Sequence, residues 1–256
     1  MKKTRHYPIF MSAGTQSTNQ LMTVKNLTET SADLYIYGEI IDNTDFKWDE
    51  ADVMPEDVLN ALKQVDGLDN LNIFINSPGG SVFAGLAIYN MLSRNKAKKT
   101  VHVDGVAASM ASVIAMVGDT IHIPANAFLM IHNPWTIAVG NANDFRKLAD
   151  DLDTISSGAL NVYKGNLKEG ITEETIQELL DNETWLNGEE AAKYFNVEVA
   201  DAKNYAACAS DVLNRYDKTP QKLLADKQNN EPPTVTQENE EVEKIKLQNE
   251  LDLLSI

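Results

Sequence analysis

Apolar and polar positions alternate over residues 33–41, DLYIYGEII, a period-two pattern rich in β-formers that predicts the first strand. The period then changes. Residues 55–65, PEDVLNALKQV, place Val58, Leu59 and Leu62 at helical spacing behind a proline and two early acids, the mark of an amphipathic helix start. Residues 71–76, LNIFIN, read as a buried strand running straight into SPGGS. Residues 82–94, VFAGLAIYNMLSR, return to helical spacing through Phe83, Leu86, Ala87, Asn90 and Met91. A third repetition spans 101–118, VHVDGVAASMASVIAMVG: a β-branched strand, a glycine turn, and a small-residue apolar helix opening at Ser109. This alternation predicts an α/β fold of βαβ units with right-handed crossovers and a largely parallel sheet.

Two further strands are expected at 120–123 and 127–132, on either side of Pro124. A long helix is expected over 141–168, with Phe145, Leu148, Leu152, Ile155, Leu160 and Tyr163 on one side and no internal proline. Thr172 opens a capped helix with Glu173 and Glu174 in its first turn, and TWLNGEEAAKYFNV reads as a turn and a short helix ending near Phe195. The chain therefore divides into a loosely ordered N-terminal segment, 1–31, and a folded domain, 32–205. An acidic, proline-punctuated linker follows over 206–239, then a short amphipathic helix over 240–256 with Leu247, Leu251 and Leu254 on one face.

Composition narrows the function. A length of 256 residues with 43% hydrophobic and 23% charged residues is ordinary globular material with room for a large core. The formal net charge of −16 argues against nucleic-acid binding, which needs clustered Lys and Arg. Cys208 is the single cysteine, so neither an intrachain disulfide nor a CxxC zinc site can form. The start, MKKTRHYPIFMSAG, has the basic residues of a signal peptide without its apolar core, and no stretch reaches the roughly 18 apolar residues of a membrane span. The expectation is a soluble, cytoplasmic protein with no membrane partner and no metal or organic cofactor.

The candidate chemistry starts at Ser109. As a helix N-cap it would use its hydroxyl on an orphan amide; as a nucleophile it would need a base, an orienting acid and an oxyanion hole. The glycines of Ser77-Pro78-Gly79-Gly80-Ser81 allow backbone amides to face a ligand, and the Gly80 and Met110 amides are the candidate oxyanion donors. His132, at the end of AFLMIH, is the candidate base. His6 lies in the loose N-terminus, and His102 and His122 fall inside strand patterns as alternating surface residues. Asp181 and Glu183, in LLDNETWL, are the candidate acids.

INSPGGSVFAGLAIYN, DGVAASMASVIAMVGD, MIHNPW and ETWLNGEEA resemble the successive signature blocks of the Clp protease proteolytic subunit (ClpP-like) family, most closely its phage-type head maturation proteases, over about residues 33–201. The resemblance implies a ClpP/crotonase-like spiral with a long protruding handle helix, here 141–168. It makes Ser109 similar to the family nucleophile, His132 to its general base, and Gly80 and Met110 to its oxyanion-hole residues. The fit through TWLNGEEA places the third member at Glu183, where housekeeping members carry aspartate; Asp181 is the alternative. The implied activity is that of a serine endopeptidase acting on polypeptides, here capsid and scaffold proteins during phage head assembly. The implied assembly is a homo-oligomeric ring, a heptamer or a stacked tetradecamer, with substrate extended beside 128–131 and SPGGS. The N-terminus does not resemble the family's unfoldase-docking loop, which argues against dependence on an AAA+ partner. Two other readings are a ring or scaffold component with a decayed triad, and an acyl-CoA enzyme of the crotonase family, which shares the spiral fold.

Overall fold

The structure is a computed structural model that describes residues 24–43, 47, 49–201, 211–220 and 223. Contacts divide the chain into two units, Met1–Cys208 and Ala209–Ile256. In the first, β2 (Ser31–Tyr37), β3 (Asn70–Ser77), β4 (Lys98–Ala108) and β5 (Thr120–Pro124) run parallel in that order. They are separated in sequence by α1 (Pro55–Gln64), α2 (Val82–Arg94) and α3 (Met110–Ala115). Expected strand–helix alternation thus becomes a parallel sheet, as βαβ connections require.

β4 is the pivot. Its first half pairs with β5, Thr100 against Thr120 to His102 against His122. Its last residues pair with β6 (Phe128–Ile131), Val106 against Phe128 to Ala108 against Met130. The expected glycine turn at Gly105 is absent because the small residues after it continue the strand and bring β6 alongside. A register shift between β3 and β4 after Ile75 is bridged by the Asn76 side chain, whose Oδ1 accepts from the Val106 N–H at 3.2 Å.

Three further departures concern short strands. β1 (Val24–Lys25) pairs antiparallel with β2, so the end of the segment expected to be loose is ordered. β7 (Thr184–Asn187) pairs antiparallel with β6 where a turn was expected, and β8 (Glu198–Ala200) joins the far edge at β5. None of these three runs has the continuous apolar or alternating pattern by which the equally short β6 was read from sequence. The strand expected over 33–41 stops at Tyr37, where Gly38 turns at φ +96°.

Alternation along β3 buries Leu71, Ile73, Ile75 and Ser77 on the helix-covered face. On the other face Tyr35, Phe74, His102 and His122 stand in register and stack, with successive ring centroids 4.8, 4.9 and 5.0 Å apart. His102 and His122 are half-buried in this ladder rather than simply at the surface. His6 lies outside the described residues.

α4 (Ala142–Lys164) starts on an Asn141 cap with Asp144 closing the box, and ends at Lys164, four residues before the expected limit of 168, with Gly165 as its C-cap. Only Ala159, Leu160 and Tyr163 of this helix are buried, so its earlier turns keep much of their apolar side uncovered within one chain. α5 (Glu173–Asp181) and α6 (Gly188–Tyr194) start on the Thr172 and Asn187 side chains. In the second unit, Asp211–Arg215 forms a 3-10 helix and Leu213 and Leu223 are buried, so the stretch expected to be a linker holds local structure. The helix expected over 240–256 lies outside the described residues.

Candidate active site

Ser109 joins β4 to α3 at φ 51° and ψ −123°, a conformation that a residue with a Cβ adopts only when its surroundings enforce it. Here the backbone enforces it from both sides. The Ser109 N–H donates to the Met130 carbonyl at 2.9 Å, and its own carbonyl accepts from the Ser112 N–H at 2.9 Å. The side chain makes no capping hydrogen bond. Its Oγ lies 2.7 Å from Nε2 of His132.

That pairing follows from strand register. β4 and β6 end side by side, Ala108 against Met130, so the residues just past each strand leave the sheet at the same edge. β7 then runs back along β6, with Ile131 opposite Thr184, and continuing the register by one sets Glu183 across from His132. Glu183 itself turns at φ 46° between α5 and β7. Burial holds the His132 imidazole below its ordinary pKa because the charged form loses water, and the Glu183 carboxylate opposes this by favouring the imidazolium. Asp181 is engaged elsewhere: its Oδ1 accepts from Asn133 Nδ2 and from Gln177 Nε2, each at 2.7 Å.

The SPGGS segment is pinned against the same turn. Ile40 N–H donates to the Gly79 carbonyl at 2.8 Å and Ser81 N–H to the Ile40 carbonyl at 2.7 Å. In such a parallel bridge the middle residue's own N–H points the other way, so Gly80 turns its amide from Ile40. A Cβ on Gly80 would stand 2.0 Å from the Ile40 carbonyl oxygen, and one on Gly79 would stand 2.7 Å from Ser109 Cβ and 3.0 Å from the Met110 nitrogen. The loop can approach the Ser109–Met110 turn this closely only without side chains.

A strand-end serine and imidazole in contact, an acid opposite, and a diglycine loop beside them occur on several folds, so the family decides what the arrangement belongs to. The Clp protease family profile matches residues 23–198, well over half of the chain. The chain belongs to the Clp protease family. It is 31% identical over 135 residues to an ATP-dependent Clp protease proteolytic subunit of Bacteroides fragilis, a stretch covering 52% of this chain and 64% of the relative. A second such subunit, from another strain of that species, is also 31% identical over 135 residues, covering 52% of this chain and 60% of the relative. One from Leuconostoc citreum is 35% identical over 137 residues, covering 52% of this chain and 68% of the relative. The chain thus spans less than two thirds of the length of both Bacteroides relatives.

Within this Clp protease chain the sheet and its six helices, among the described residues, agree with the α/β fold expected from the sequence. No helix among the described residues is long and apolar enough to cross a membrane. A cleft beside Ser109 and His132 is lined by Val82, Met110, Val113, Pro134, Ile155 and Tyr163. Both edges of β6 are occupied, by β4 and by β7, so an extended substrate cannot pair with 128–131 as expected. Ser77 pairs with Ala107 of β4, whereas Gly80 has, among the described residues, no pairing partner on the side turned away from Ile40. Sequence reading also gave no role to Ser112, whose Oγ donates to the Ser109 carbonyl, or to the hydroxyl of Tyr163, which bonds to Ser112 Oγ. A serine three residues into an otherwise apolar helix was the available signal.

Proposed function

We propose that this Clp protease chain is a serine endopeptidase that hydrolyses polypeptides through an acyl-enzyme on Ser109. The observation that carries the reading is the 2.7 Å contact between Ser109 Oγ and His132 Nε2 at the adjoining ends of β4 and β6. His132 takes the Ser109 proton as Oγ attacks the peptide carbonyl, then gives it to the leaving amine. Burial keeps the imidazole in its neutral, proton-accepting form near neutral pH. Glu183, in the turn before β7, orients the ring and stabilises the imidazolium once formed. The Gly80 and Met110 amides receive the oxyanion. Water then cleaves the acyl-enzyme, and no metal or cofactor takes part.

The outer side of the Gly80 backbone, turned away from Ile40, offers main-chain pairing to an extended polypeptide. The assembly proposed is a homo-oligomeric ring. Support comes from the uncovered apolar side of α4 and the exposed Trp135, Ile137 and Val139 just before it.

Replacing Gly80 by alanine is expected to lower kcat by about 10²–10³. The new methyl would force the loop off Ile40 and swing the Gly80 amide from its place. Gly67→Ala, which also sits at positive φ (+82°) but whose Cβ meets nothing within 4 Å, is the control and is expected to keep kcat while lowering Tm. Steady-state hydrolysis of a fluorogenic peptide reads both.

The natural substrates proposed are capsid and scaffold proteins of a phage head, on the likeness of the signature blocks to phage-type members. Incubating those proteins, from the genes beside this one, with wild type and Ser109→Ala tests it. Cleavage by the wild type alone is expected; identical processing by both would end the assignment.

A further inference from the structure

We infer that Tyr163 and Ser112 form a buried hydroxyl relay that aims and polarises the Met110 amide, acting as positioning residues for the oxyanion donor; this rests on the endopeptidase reading above. Ser112 is fully buried on α3, and its Oγ lies 2.5 Å from the Ser109 carbonyl oxygen and 2.7 Å from Tyr163 Oη. A carbonyl oxygen only accepts, so the single Ser112 proton is committed to it. The proton between the two hydroxyls must then come from Tyr163. The direction is fixed along the whole relay: Tyr163 O–H to Ser112 Oγ, Ser112 O–H to the Ser109 carbonyl.

The consequence lies in the peptide plane. The Ser109 carbonyl and the Met110 N–H belong to one trans peptide unit and point in opposite directions. Pulling the carbonyl toward Ser112 from beneath therefore sets the Met110 N–H on the other side. It also polarises that N–H, because hydrogen bonds in series strengthen one another. The need for such a hold is visible at Ser109, whose ψ of −123° at φ 51° would relax toward the left-handed well by rotating this same plane. Tyr163 is itself only 1% exposed and packs on Phe195 with ring centroids 5.9 Å apart, so its hydroxyl cannot swing out to water. Burial raises the phenol well above its ordinary pKa and keeps the proton in place throughout the working range.

Tyr163→Phe removes only the hydroxyl and keeps the ring; Ser112→Ala breaks the relay at its middle. Each is expected to lower kcat on a fluorogenic peptide about tenfold with KM within about twofold. The double variant is expected to be no worse than the poorer single, because both remove one relay. Affinity for a peptide boronate, whose tetrahedral oxygen occupies the oxyanion position, should fall by the same factor. In protein labelled with ¹⁵N-methionine, the Met110 amide proton should move upfield in either variant, a readout that needs no turnover. Unchanged boronate affinity and an unmoved Met110 resonance, with only a lowered Tm, would overturn the relay and leave the endopeptidase reading standing. A wild type that neither cleaves peptide nor reacts at Ser109 would instead overturn that reading, while the Met110 resonance still decides the relay.

Discussion

Ser109→Ala is expected to lower peptide hydrolysis by about 10⁶ while leaving the fold intact. The magnitude follows from losing the only group that forms the covalent intermediate, after which positioning and the oxyanion donors still act on bound substrate. The intact fold follows from what the side chain does not do. It caps no helix amide, and the strained turn is held by the Ser109 backbone through Met130 and Ser112. His132→Ala is expected to cost about as much, and the pair together no more than either alone, since each is useless without the other. Matched circular dichroism and melting curves check the fold, and initial rates on a fluorogenic peptide check the loss. A multiplicative loss in the double variant would mean that the two side chains act independently, whatever their separation.

Glu183→Gln is expected to reduce kcat by about 10³–10⁴, with the ring of His132 no longer held against a negative charge. A pH profile gives the sign of the effect separately from its size. Burial lowers the His132 pKa, so the acid limb of kcat/KM should have its midpoint below the ordinary imidazole value of about 6.5. Glu183 opposes that lowering, so Glu183→Gln should carry the midpoint further toward acid. Asp181→Asn, by contrast, alters a carboxylate tied to Asn133 and Gln177 and should change kcat less than about tenfold. A large loss in Asp181→Asn with little in Glu183→Gln would exchange the two assignments.

The parallel sheet was legible because its strands, as apolar or alternating runs, and its helices, as apolar stripes, each leave a trace in the sequence. The helix over residues 82–94 was read to its exact ends, with Arg94 in the last turn and Ser81 supplying the cap. Ser109 and His132 were legible as candidates, since a serine at a strand–helix junction and a histidine ending an apolar run are local patterns. Their contact was not, because it depends on β4 forking between β5 and β6, a matter of long-range register that leaves no mark on either segment. Glu183 and Asp181 could not be separated for the same reason. Only the four-residue β7, which has no alternating or continuous apolar pattern, sets Glu183 rather than Asp181 across from the imidazole. Tyr163 was read as one more apolar position on a long helix, and its hydroxyl acquires a partner only when α3 packs beneath it.

Incubation of the wild-type chain with a fluorophosphonate, followed by peptide mapping in a mass spectrometer, is the most direct measurement of whether a hydroxyl here is an activated nucleophile. A stoichiometric phosphonyl adduct on Ser109, lost in His132→Ala, is the predicted result. An unmodified Ser109 under conditions where the protein is folded and assembled, or an adduct on a different serine, would contradict it.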